Sequence, residues 1–135
     1  MTGDIKDDFA KSSYWIEMAE YDIQTAEAMQ QTARYLYVGF MCHQAVEKAL
    51  KGRFVRFKPH DDLPFIHNLV RLAKAAEVFD SMDMDQQRLL IELQPLNIEA
   101  RYPKKKDEVF KSLSKERCAK LVIDAKGLVT WINEI

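Results

Sequence analysis

The sequence predicts an all-α fold, a single five-helix up-and-down bundle, and three observations carry that prediction. Glycine and proline are scarce, at four each in 135 residues, so the chain lacks the turn density of a β-sandwich or barrel. Residues of high helix propensity fill its long segments. Between Tyr35 and Phe57, Val38, Cys42, Ala45, Val46, Ala49, Leu50 and Phe54 recur at helical spacing, the stripe that a helix buries in a bundle. A hydrophobic content of 47 % can fill a core. The length lies within the roughly 50–250 residues of one domain, so residues 1–135 are read as one unit.

Each element has its own signals. The first helix is expected over about residues 5–31, where Trp15, Met18, Ala19, Asp22, Ala26 and Met29 line one stripe. Asp22 is the only charge on it. An unpaired buried carboxylate is costly, so Asp22 requires either a cation from a neighbouring helix or a water-filled cleft. The short join Gln31 to Arg34 predicts an antiparallel hairpin with a second helix, about residues 35–57. Lys58-Pro59-His60-Asp61-Asp62-Leu63-Pro64 is a loop, because two prolines among polar residues cannot continue a helix.

A third helix is expected over about residues 66–79, with Leu69, Leu72, Ala73 and Ala76 inward, followed by a turn and Asp83 as the next N-cap. The fourth starts at about residue 84 with Leu89, Leu90, Leu93, Leu96 and Ala100 along its apolar face. Pro95 predicts a kink near residues 91–95 and Pro103 an end. Lys104 to Leu113 reads as a basic, mobile connection. The last helix, about residues 114–134, has Ser114 as N-cap and the apolar series Cys118, Leu121, Val122, Ala125, Leu128, Ile132 and Ile135.

The net charge of −1 conceals segregation along the chain. Residues 1–30 stand at −5, whereas Lys48–Lys58 and Arg101–Lys120 each stand at +5. Such asymmetry suits either a phosphate-bearing or acidic partner or an ordinary solvated helix face. Cys42 and Cys118 both fall among apolar residues, and neither an apolar leader nor a run of ~18 apolar residues is present. A reduced, cytoplasmic protein without a membrane span is the expectation.

Three pieces together resemble the HEPN family of small prokaryotic helical domains. They are Trp15, Ala19, Asp22 and Ala26; then Phe40-x-x-His43-Gln44-Ala45-x-Glu47-Lys48-Ala49-Leu50-Lys51 with Pro64-x-x-His67-Asn68-Leu69-x-x-Leu72; and Leu96-Asn97-x-x-x-Arg101-Tyr102-Pro103. The resemblance implies a homodimeric helical bundle with a polar cleft, often encoded beside a minimal nucleotidyltransferase that is then its partner protein. Many members resemble metal-independent ribonucleases that use an Arg followed four to six residues later by a His. Here the three histidines are His43, His60 and His67, so none follows Arg101. RNA cleavage needs a group that moves protons near neutral pH, which arginine does not supply. The favoured reading is therefore a nucleotide-binding or partner-binding module, with a toxin-like ribonuclease as the alternative. Whether the chain is an enzyme stays open.

The candidate site has two walls. Asn97 and Arg101, four apart, would share a face if the fourth helix continued to Tyr102, and a guanidinium beside an amide and a phenol suits a phosphate and a base. The structural alternative is that Arg101 caps carbonyls or pairs with Asp22 or Glu47. On the second helix, Tyr37, Phe40, Gln44, Glu47, Lys48 and Lys51 are expected on the face opposite the apolar stripe. There Lys48 and Lys51 would meet phosphate and Glu47 would position them, or Glu and Lys would simply form surface pairs worth ~0.2–0.5 kcal/mol. Lys104-Lys105-Lys106 adds a nucleic-acid signal of the salt-sensitive, sequence-independent kind. His67 is read as a capping or packing residue. No metal-ligand spacing and no glycine-rich phosphate loop occurs, so no metal and no cofactor is expected.

Overall fold

The computed structural model describes the backbone of residues 2–135, and the side chains from residue 11 onward except that of residue 100. Six α-helices follow one another: α1 (Thr2–Gln31), α2 (Tyr35–Phe57), α3 (Leu69–Ala75), α4 (Met84–Leu93), α5 (Pro103–Ser112) and α6 (Lys115–Glu134). Single 3-10 turns occupy Phe79–Ser81, Gln94–Leu96 and Ile98–Ala100. The described residues contain no strand, so the all-α class holds, with six helices in place of five. No described helix is long and apolar enough to cross a membrane.

α1 and α2 pack antiparallel as expected. Their join is a Schellman motif, with Arg34 N–H bonded to the Met29 carbonyl at 2.8 Å and Ala33 N–H to Gln30 at 3.1 Å. Ala33 takes the left-handed conformation there (φ 59°). α3 ends the same way, with Glu77 at φ 58° and Val78 N–H on the Ala73 carbonyl. Both positions usually hold glycine, so neither stop carries its ordinary sequence signal.

α3 is shorter than the predicted 66–79. It starts only after Asn68, whose side chain accepts the Arg71 N–H at 3.0 Å, because residues 65–67 run non-helical behind Pro64. Asp83 caps α4 as predicted, in a reciprocal capping box with Gln86. At Pro95 the helix ends outright: the ring removes a backbone donor, and the chain passes through two 3-10 turns. Arg101 is then extended (φ −115°, ψ 144°), so Asn97 and Arg101 do not stack on one helix face as expected. The predicted inward placement of Ala100 lies outside the described side chains.

Residues 104–113, expected as a mobile connection, are largely helix. Pro103 at its first position is preset for helical φ, and Lys105–Glu108 (3.3 Å) and Lys111–Asp107 (3.1 Å) pair across single turns. Ser114 caps α6 through the Arg117 N–H. Its apolar series is buried from Cys118 to Ile132, while Ile135, beyond the helix end, is exposed.

α2 is the central helix, in contact with α1, α3, α4, α5, α6 and the Gln94–Leu96 turn. The expected stripe from Val38 to Phe54 is buried, but so are Gly39, Phe40, His43, Glu47 and Gly52. Phe40 and Glu47 therefore do not lie on an exposed face: Glu47 meets His67 from the segment before α3, and the chain after Pro95 packs against α2 at Gly39. Gly39 permits this approach: a Cβ there would stand 3.2 Å from both Leu96 and Leu113 side chains.

Candidate functional site

α1 and the segment before α3 turn the polar positions of α2 into a half-buried ionic cluster. Asp22 on α1 is buried and accepts from Lys48 Nζ at 2.6 Å, which settles its partner as a cation from the neighbouring helix. Glu47 is buried and serves two elements. Its Oε2 accepts from Lys51 Nζ at 3.0 Å, and its Oε1 lies 3.2 Å from His67 Nδ1 in the segment before α3. Gln44, one turn before Lys48, is half-buried. Lys48 and Lys51 are thus each matched by a carboxylate.

Gln94 fastens the opposite side. Its Oε1 accepts the Leu69 N–H at 2.8 Å, an otherwise unpaired donor at the start of α3, and its Nε2 donates to the His67 carbonyl at 3.4 Å. The Gln94 carbonyl in turn accepts from Arg101 Nη2 at 3.4 Å. The path Lys51, Glu47, His67, Gln94, Arg101 therefore links α2, the α3 start and the α5 start.

Beneath it lies His43, one turn before Glu47 on α2, with 0 % exposure and no well-formed hydrogen bond at either ring nitrogen. Burial pushes its pKa down to about 4; Glu47 and a backbone contact at His67 oppose this, and the charges of His67 and Arg101 add to it. His43 is therefore neutral near pH 7. Arg101 is half-buried, forms no ion pair with a carboxylate among the described residues, and has a buried Nε without a partner. It is capping a carbonyl, as one expectation had it, and not paired with Asp22 or Glu47. No described carboxylate pairs with its charge.

A cleft of about 360 Å³ opens beside it, lined by Pro95, Arg101, Lys105, Glu108, Val109 and Ser112. Tyr102 is 85 % exposed and Asn97 half-buried; neither side chain joins the bonded path. Lys104, Lys105 and Lys106 stand on the first turn of α5, not in a loop. The structure thus brings Asp22, Glu47, Lys48, Lys51 and Arg101 into one region. It adds His43, His67 and Gln94, which sequence reasoning did not assign. The available signals were the four-residue spacing of His43 and Glu47 and the position of His67 directly before a helix cap.

A family model described as HEPN domain matches residues 12–135. Two solved structures share the fold. One, a protein from Thermus thermophilus, is 19 % identical with a TM-score of 0.77, covering 92 % of this chain and 97 % of that one. The other, described as an archaeal HEPN homologue, is 17 % identical with a TM-score of 0.69, covering 91 % and 95 %. No curated protein matches the sequence.

Proposed function

Since the chain belongs to the HEPN domain family, we propose that it acts as a nucleotide-binding module with Arg101 as its phosphate anchor. The observation that carries this reading is the Arg101 guanidinium, without an ion-pair partner among the described residues and beside a neutral His43, in a region where the neighbouring α2 lysines are already matched by Asp22 and Glu47. A guanidinium recognises phosphate through directed, charge-assisted hydrogen bonds. Calorimetric titration with ATP, GTP, CTP and UTP tests it. Saturable binding by the wild type and a loss of at least about tenfold in folded Arg101→Ala are expected, since a bond to a charged group contributes ~1.5–3 kcal/mol. Equal affinity in the folded variant would remove Arg101 as anchor.

The reading includes a homodimer and a nucleotidyltransferase partner protein. The exposed aromatics Tyr14 and Tyr21, two turns apart on α1, and Tyr37 on α2 support a protein-binding surface.

One observation favours ribonuclease as the second reading: although no histidine follows Arg101 in sequence, Gln94 ties the exposed His67 to the same site. Cleavage of RNA by pure protein in chelator, lost in both His67→Ala and Arg101→Ala, is its expected signature. Intact RNA after prolonged incubation with the wild type would reject it.

A further inference from the structure

The cations near the site divide into two groups. Lys48 and Lys51 are held by the buried carboxylates of Asp22 and Glu47, so a phosphate on α2 would have to displace buried ion pairs. On the other side of Arg101, the one ion-pair partner of Lys105 among the described residues is Glu108, at 3.3 Å, and both side chains are more than half exposed. Such surface pairs contribute little and yield readily to a stronger anion.

Resting on the reading of Arg101 as phosphate anchor, we infer that the ligand's phosphate enters the cleft between Pro95 and α5, with Lys105 as its second cation and Glu108 as the group that limits its affinity. The cleft's about 360 Å³ is at the small end of ligand sites, which span roughly 300–1,000 Å³. It admits a single nucleotide unit, free or at the end of a strand. Its lining is divided to match: Arg101 and Lys105 supply charge, while Pro95 and Val109 offer an apolar surface to the sugar or base. The phosphate replaces the Glu108 carboxylate beside Lys105, and the displaced carboxylate then stands close to a like charge. Glu108 thus opposes the ligand, whereas the α2 lysines are bystanders.

Titration of the whole protein with AMP tests this, with adenosine and inorganic phosphate as comparison probes. Lys105→Ala is expected to weaken AMP about three- to tenfold, and Glu108→Gln to tighten it about two- to fivefold, in keeping with the ordinary size of surface charge contributions. Lys111→Ala, on the same helix but outside the cleft lining, is expected to bind as the wild type does, and adenosine and phosphate more weakly than AMP. Lys105, Glu108 and Lys111 have side chains more than half exposed, and circular dichroism confirms that each variant is folded. AMP affinity unmoved by Lys105→Ala and Glu108→Gln, or lost in Lys111→Ala, overturns the cleft while leaving Arg101 as anchor if Arg101→Ala still weakens binding. A wild type that binds ATP but not AMP overturns the cleft alone. A wild type that binds no nucleotide overturns both.

Discussion

Glu47→Ala is expected to lower the unfolding free energy by about 2–4 kcal/mol, because it removes the shared acceptor of two elements and strands Lys51. Lys51 has a side chain only 12 % exposed, with its ammonium 5.5 Å from the Trp15 ring centre, so it has little water to turn to. His67, by contrast, is well exposed and loses less. The cost therefore sits below that of breaking a fully dry pair. Glu47→Gln keeps the shape and one acceptor but not the charge, and an intermediate loss is expected. Urea unfolding of the three proteins near neutral pH measures this. A loss under about 0.5 kcal/mol in Glu47→Ala would mean that the carboxylate is a passive occupant of its site.

His43 makes the protein acid-sensitive. Its pKa falls from about 6.5 in the unfolded chain to about 4 in the fold, so the folded state rejects the proton that the unfolded state accepts. The stability associated with neutral His43 is whole above about pH 6.5 and is lost as pH falls toward 4. Between about pH 7 and about pH 4.5 the loss from this residue is roughly 2–3 kcal/mol. His43→Leu is expected to unfold with equal or greater stability at neutral pH, since it removes a buried imidazole whose ring nitrogens lack well-formed hydrogen bonds, and to show a pH dependence flatter by that amount. Carboxylates remote from His43 contribute equally to both proteins and cancel, whereas Glu47, coupled to His43, adds a smaller difference. Parallel pH profiles for wild type and variant would show that the imidazole finds a partner in solution that satisfies its charged form.

Most helix positions were legible because their signals are local. Asp83 and Ser114 announce the starts of α4 and α6 by side-chain chemistry that needs only the next three residues. The errors arose where a local signal was ambiguous or absent. Pro103 reads equally as a stop for the turns before it and as the first residue of a new helix, and α5 is the second of these. The left-handed stops at Ala33 and Glu77 lack the glycine that would have marked the end of α3.

The chain alone determined the all-α class, the buried stripe of α2, the α1–α2 hairpin and the requirement that Asp22 find a partner. Those follow from periodicity, loop length and the cost of a buried charge, which are properties of short stretches. Only the tertiary structure decided that α2 is covered on a second side, which buries Phe40, His43 and Glu47. The reason is geometric: burial of a helix face depends on what crosses it, and here the segment before α3 meets Glu47 while the chain after Pro95, some fifty residues later, packs at Gly39. The same crossing places Arg101 beside His43 and ties it through Gln94 to His67. That the α2 lysines are matched while Arg101 has no described carboxylate partner is a consequence of that packing, since charge pairing is set by distance in space and not by spacing along the chain.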